Sequence, residues 1–383
     1  MITGGSSVVS PSWQVYTVFR FCIGFFIGGV LTTAFVFLVE FLKVRYRSTA
    51  TAMGGWNAGY ILLALVSYVT KCYRKVALVS NAMGIVALIA LRYTKESPRW
   101  LAQKGRLSEA EEVLREINRI NGRPIDTREN VRAVLQSEVR NSLTANRKKY
   151  SFCHLFYTTN LIKHTIVMAL TWFTVSVVNY GLIFNIGNLS GSLYINGFLF
   201  GLLRWVSGII ACFLEIKVDC IGRKAMNAVA CFTIAASCTT ATVLYYIGFS
   251  HPWACRGLML VAAFMTSPLW LVVYSLSAEI YPTSIRNIGN SFGSAFARIG
   301  GAVAPQLLFA AEVWPPATYV IFGSLAVVDG ILFQLFLPET KGKPLPEQMP
   351  DKSERVSCCG RRKKILTTTP TVTFGDPVDL SVF

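Results

Sequence analysis

Apolar residues in this chain come in long runs, separated by short charged stretches. No Asp, Glu, Lys or Arg occurs at 21–39, 48–70, 165–203, 225–255 or 257–278. Shorter charge-free runs lie at 76–91, 205–214, 287–297, 299–311 and 313–328. A helix needs roughly 20 apolar residues to cross the hydrocarbon core of a bilayer. These runs lack the alternation of membrane-barrel strands, and the longest is broken by the polar turn Asn185–Asn196. The pattern therefore predicts an all-α, polytopic membrane protein with about nine transmembrane helices. They fall at 13–39, 52–70, 76–91, 165–185, 194–215, 225–247, 256–277, 287–309 and 316–337.

Composition sharpens this picture. Of 383 residues, 53% are apolar and 15% charged, against about 25% charged in soluble domains. Lys and Arg outnumber Asp and Glu by 37 to 20, for a net +17. Such an excess suggests nucleic acid, but a chain this apolar has little room for a basic, water-facing groove, so no nucleic-acid partner is expected. The partner is a lipid bilayer. A cytoplasmic C-terminus keeps most of the Lys and Arg inside, with Lys71, Arg74 and Lys75 as exceptions. The N-terminus then lies outside, and Met1–Ser10 reads as a polar lead-in without the features of a signal peptide. Ten cysteines do not form a disulfide scaffold; Cys72 and Cys255 lie near the outside, where pairing stays open. Asn188-Leu189-Ser190 falls in an outside loop, making Asn188 a candidate glycosylation site.

An internal repeat is the most informative feature. Glu40 precedes Arg47 by seven residues at the end of the first span, as Glu279 precedes Arg286 at the end of the seventh. Glu96-Ser-Pro-Arg follows the third span, and Pro338-Glu-Thr-Lys follows the ninth. Both pairs are offset by about 240 residues, the signature of two related halves. The later half has six spans and carries Asp219-Cys-Ile-Gly-Arg-Lys224, whose earlier counterpart would precede Met1. The expectation is an N-terminal half lacking three spans. Domains then run as a partial N-terminal half at 1–92, a cytoplasmic loop at 93–160, a six-helix half at 161–337 and a tail at 338–383.

These motifs carry a resemblance. Asp219-x-x-Gly-Arg-Lys224 and Arg20-x-x-x-Gly24 resemble the major facilitator superfamily. Within it, Glu96-Ser-Pro-Arg-Trp-Leu101, Ala278-Glu-Ile-Tyr-Pro-Thr-Ser-Ile-Arg-Asn287 and Leu337-Pro-Glu-Thr-Lys-Gly342 resemble the organic cation, anion and carnitine transporter family, as do Trp172-Phe173 and Tyr180-Gly181. Phe26 departs from the family's glycine repeat. The resemblance implies transport of small organic ions from the plasma membrane. In that family an acidic residue at the Arg298 position accompanies cation transport, whereas arginine resembles the anion and carnitine branches.

The charges divide by depth. Glu40, Arg47, Asp219, Arg223, Glu279 and Arg286 lie at the cytoplasmic face. They suit an exchangeable gate for alternating access, since exposed pairs contribute only about 0–1 kcal/mol each; the alternative is anchoring by snorkelling ends. Deeper lie Arg298, about 18 Å in, Arg204, about 20 Å, and Asp329, about 15 Å, at 1.5 Å per residue. An Arg at mid-membrane costs at least about 2.5–3.5 kcal/mol on insertion scales, so it should face a cavity or a partner. One Asp cannot neutralise two arginines. The interior is left positive, favouring anions or zwitterions, which Arg binds in a bidentate way. The alternative pairs Arg298 with Asp329 as pure structure. Phe35, Trp172, Tyr180, Trp270 and Tyr274 are candidates to line the cavity, with packing as the other option. Arg298 and Arg204, with Trp172, Tyr180, Tyr274 and Phe35, make up the candidate substrate-binding set.

The cytoplasmic loop shows Ser108 and Glu111 as a capping box, a stripe of Ala110, Val113, Leu114, Ile117 and Ile120, and a stop at Asn121-Gly122. Val131, Val134, Leu135 and Val139 suggest a second amphipathic helix, and Cys358-Cys359 beside a basic run suggests lipidation. His154, His164 and His251 lack metal-ligand spacing, and no phosphate-binding G-x-x-x-x-G-K-[ST] loop occurs. Neither an enzyme, a metal, a cofactor nor ATP-driven transport is expected. The reading is gradient-driven or exchange transport; the alternatives are an organic cation transporter, or a truncated, non-transporting form that associates with a full-length relative.

Overall fold

The computed structural model describes residues 2–41, 55–122, 151–218, 221–248, 251–282 and 284–341. Among them are twelve α-helices: α1 (Ile2–Val8), α2 (Trp13–Phe41), α3 (Gly55–Thr70), α4 (Tyr73–Arg92), α5 (Pro98–Gln103), α6 (Leu107–Ile120), α7 (Thr159–Phe184), α8 (Leu193–Lys217), α9 (Arg223–Tyr246), α10 (Pro252–Ile280), α11 (Arg286–Val313) and α12 (Ala317–Phe336). The nine expected spans correspond to α2–α4 and α7–α12. Seven of these are long and apolar enough to cross a membrane by composition alone. The remaining two are α3, at 16 residues, and α11, which carries Arg286, Arg298 and Glu312 over 28 residues. The described residues contain no strand.

They form two compact units. The first holds the described residues of Met1–Arg47 and Val66–Lys149; the second holds those of Ser48–Leu65 and Tyr150–Val378.

In the first unit, residues 2–8 form a helix rather than the polar lead-in the sequence suggests. Gly4 eases this: a Cβ there would overlap the Asn81 side chain of α4 as it stands, so glycine lets α1 sit against α4 without moving it. The faces of α2 and α4 are apolar and outward, with Phe21 77% and Val86 67% exposed, as suits helices surrounded by lipid. Next, Ser97 caps α5 by accepting from Trp100 N, with Pro98 at the first helical position. Helix α6 packs Ala110 and Val113 on Leu101 and Ala102, with Leu114 and Ile117 alongside. Ile120 stands outside that stripe, exposed at the helix end. The expected capping box is absent. Helix α6 starts at Leu107, so Ser108 lies inside it, and Glu111 pairs with Arg115 at 2.8 Å instead. Gly122, at φ 64°, ends this segment as expected. The second amphipathic helix at 131–139 and the lipidation motif lie outside the described residues.

The second unit is a six-helix bundle, α7–α12, joined by the first turns of α3. Lipid tails are as apolar as leucine, so close packing rather than water exclusion holds such helices together. Small residues supply the closeness. A Cβ on Gly300 of α11 would lie 2.7 Å from the Phe173 carbonyl oxygen of α7, and one on Gly301 would lie 3.1 Å from the Tyr180 ring. These glycines make α7–α11 the tightest pair, while α9 packs on α12 and α10, and α8 on α10. Trp172, Met168, Val175, Phe322 and Phe333 fill the centre. The helices alternate in direction, so one end gathers Ser190, whose hydroxyl donates to the Pro252 carbonyl at 3.1 Å. The opposite end gathers Glu215, Arg223 and Glu279. Cys72, in the first unit, and Cys255, in the second, are both free thiols.

Candidate functional site

Two side-chain clusters stand out in the six-helix unit. The first occupies the end where α8 and α10 finish and α9 begins. Arg223, 7% exposed, holds Glu215 at 2.7 Å and Glu279 at 2.8 Å with its two terminal nitrogens. Thr340 donates its hydroxyl to the other Glu279 oxygen at 2.5 Å. Glu339 accepts from the backbone N–H groups of Arg223, Lys224, Thr340 and Lys341 at 2.9–3.1 Å. Two of these are the otherwise unpaired donors that open α9. Burial pushes the Glu339 carboxyl up, but those four N–H bonds outweigh it and hold the group below the usual carboxylate range. Lys341 closes the far side by donating to the Val218 and Ile221 carbonyls. The segment after α12 is thus bolted across the ends of α8, α9 and α10.

Of the expected gate residues, Arg223 and Glu279 meet in this cluster. Arg286 opens α11, within electrostatic reach of Glu279. Asp219 and Arg47 lie outside the described residues, and Glu40 lies in the last turn of α2 with its side chain outside them. Glu215 was missed; a lone acid two residues before Lys217 at the end of an apolar run was the available signal.

A second cluster lies within the bundle. Trp172 is 1% exposed, donates its indole N–H to Ser277 Oγ at 3.0 Å, and meets Tyr274 edge-on at 4.8 Å and Trp270 at 5.8 Å. Gly293 makes space for that indole, since a Cβ there would overlap it. Tyr274 lies within electrostatic reach of Arg298 and Tyr180. Tyr180 in turn reaches Arg204, which also feels Tyr60 of α3. The Arg204 guanidinium stacks 5.4 Å from the Phe200 ring and is only 3% exposed. Among the described residues it has no ion pair, and its Nε has no hydrogen-bond partner. The cluster is therefore an aromatic wall bearing two arginines and no acid.

The structure thus brings Trp172, Tyr180, Tyr274, Arg204 and Arg298 together. Phe35 lies on α2, in the other unit, with its side chain outside the described residues. Tyr60 and Phe200 join the set unforeseen; nothing in the apolar pattern separates them from neighbouring aromatics. The alternative, a pairing of Arg298 with Asp329, does not occur. Asp329 bonds Thr171 and Cys231 instead, because α12 turns it towards α7 and α9. Arg298 is exposed on α11. Asn188 sits in the short 3-10 turn Asn185–Asn188 after α7, with its side chain outside the described residues. The described residues hold no grouping of His, Cys, Asp and Glu fit for a metal.

Helices of membrane length, packed through small residues with charges gathered at one end, define a multi-pass helical membrane protein. A family model described as "Sugar (and other) transporter" matches residues 1–351, and the chain belongs to that family. It is similar to solute carrier family 22 member 3 of Mus musculus, 30% identical over 378 residues, covering 97% of this chain and 66% of that protein. It is also similar to solute carrier family 22 member 1 of Bos taurus, 30% identical over 358 residues, covering 91% and 60%. The chain spans about two thirds of the length of these relatives. Among solved structures it resembles the proton:xylose symporter XylE bound to 6-bromo-6-deoxy-D-glucose, with a TM-score of 0.68 and 20% identity over 90% of this chain and 79% of that one. The inward-open E. coli xylose transporter gives 0.64 at 18% identity, over 89% and 78%.

Proposed function

We propose that the chain moves small organic anions or zwitterions across the plasma membrane by alternating access, without ATP hydrolysis. One observation carries the charge preference: Arg204 is buried beside Tyr60, Tyr180 and Phe200 with no acidic partner among the described residues. A buried charge without a counterion is costly, and a carboxylate on the ligand would supply the missing partner in bidentate form. Arg298, near Tyr274 and Tyr180, places a second positive charge beside the same aromatic wall. Trp172, Trp270 and Tyr274 offer flat apolar surface to the ligand's hydrocarbon part. The Arg223–Glu279 pair, with Arg286 near it, supports a gate at the cytoplasmic end, with Glu40, Arg47 and Asp219 as its remaining candidates. Asn188, opposite that end, is the proposed glycan acceptor.

Uptake of an anionic and a cationic fluorescent dye by cells or vesicles carrying the wild type, Arg298→Ala and Arg204→Ala tests this reading. Anion uptake should exceed cation uptake and fall in both variants. Unchanged anion uptake in Arg298→Ala sinks the assignment, and preferential cation uptake points to an organic cation transporter. Correct membrane insertion with no uptake of either dye favours the second reading, in which this chain associates with a full-length relative rather than transporting.

A further inference from the structure

Asp329 belongs to neither cluster. It is 0% exposed on α12, facing α7 and α9. Its Oδ1 lies 2.7 Å from Thr171 Oγ1 and its Oδ2 lies 3.5 Å from Cys231 Sγ. Asn227, fully buried and one turn before Cys231, turns its carboxamide toward the same group. No described Lys, Arg or His forms an ion pair with it. The cations on neighbouring helices are engaged elsewhere or lie apart. On α9, Arg223 holds Glu215 and Glu279, and Lys224 donates to the Gln334 carbonyl at 2.6 Å. On α7, Lys163 and His164 lie about two turns before Thr171. On α11, Arg298 lies toward Tyr274, and α10 has only Arg256 and Glu279, at its two ends. Cys231 is therefore the titratable neighbour that touches the carboxyl.

The donors around a charged carboxylate are weak: Cys231 Sγ stands at 3.5 Å, and Asn227 Nδ2 makes no hydrogen bond of good geometry. The Thr171 hydroxyl has one proton, yet its oxygen lies within hydrogen-bond distance of two acceptors, the Val167 carbonyl at 3.0 Å and Asp329 at 2.7 Å. A helical threonine can give its one proton either to the carbonyl one turn back or to Asp329, not to both; back-bonding is the arrangement taken here. Two oxygens at 2.7 Å then need another proton between them, and the carboxyl is the group that can carry it. Among the described residues no group of three His, Cys, Asp or Glu side chains forms around it that could hold a metal ion.

We propose that Asp329 is a proton-binding site: its carboxyl donates to Thr171 Oγ1, which donates on to the Val167 carbonyl. Releasing that proton to solvent leaves an uncompensated charge between α7, α9 and α12, where burial of an unpaired charge is strongly disfavoured. The six-helix unit thereby becomes pH-responsive through a group remote from the arginines, and this holds whether or not the chain transports.

Infrared spectra of the purified full chain in detergent, from mildly acidic to neutral pH and beyond, test it directly. The wild type should show the carbonyl band of a protonated carboxyl at neutral pH. That band should vanish in Asp329→Asn and shift in frequency in Thr171→Ala, which removes its acceptor. Asp329→Asn, whose N–H stands where the acid has O–H, should melt close to the wild type at neutral pH. Relative to it, the wild type should lose stability as pH rises from the ordinary carboxylate range up to the folded value, and the two should run parallel above that. A folded wild type without the band at neutral pH overturns the proposal, as does a band that persists in Asp329→Asn. If Asp329→Asn does not fold, the wild-type band and its response to Thr171→Ala decide the matter.

Discussion

Arg223 and Glu279, one opening α9 and the other near the close of α10, form a 2.8 Å ion pair that Glu215 completes from α8 at 2.7 Å. Three helix ends therefore converge on one guanidinium. Removing a single partner from a buried ion group leaves uncompensated charge, which costs about 3–5 kcal/mol. Arg223→Ala should lower the thermal unfolding midpoint of the detergent-purified protein accordingly. Arg223→Lys should recover only part of the loss, because an ammonium cannot serve both carboxylates in the same fork. Equal melting of Arg223→Ala and wild type would show that the cluster contributes nothing.

Glu339 gives a pH dependence of known sign. Its folded-state carboxyl is held below the ordinary range by four backbone N–H groups. Its stabilisation is therefore full above the ordinary carboxylate range and is lost as pH falls through the lowered folded value. Glu339→Gln should be less stable than wild type at neutral pH, and the gap should narrow in acid. Melting curves of both proteins across that range check it.

Glycine substitutions should split by position. Gly300→Ala forces a methyl to 2.7 Å from a backbone oxygen, and such overpacking costs about 1–3 kcal/mol. Gly257→Ala on α10 meets nothing within 4 Å and should be neutral or gain up to about 1 kcal/mol of helix propensity. Thermal melting of the two single variants compares them.

Arg204→Met should separate stability from function. The thioether keeps a packing surface on Phe200 and removes a charge whose insertion costs about 2.5–3.5 kcal/mol. The melting midpoint should rise. Anion uptake should fall at least about tenfold, since a charge-assisted hydrogen bond contributes about 1.5–3 kcal/mol. A variant that is both more stable and fully active would remove Arg204 from the binding set.

The chain's own pattern determined that it is helical, where the nine long helices lie, and which charges stand at helix ends or inside. Length without charge is a one-dimensional property that the bilayer reads directly, which is why α7–α12 follow the expected spans so closely. Motif residues placed Arg223 and Glu279 at one face for the same reason. Partner choice was decided only in three dimensions. Which way Asp329 points depends on the rotation of α12 about its axis, and that rotation is set by glycines on α7, α11 and α12 and the rings they admit. A Cα position along a span fixes depth, but only packing fixes azimuth. Hence the similar depth of Arg298 and Asp329 left a pair open as an alternative, while the bundle sends one toward Tyr274 and the other to Thr171 and Cys231. Glu215, Tyr60 and the first helix at Ile2–Val8 escaped notice because each depends on a neighbour far away in sequence: Arg223 with Glu279, Arg204, and Asn81.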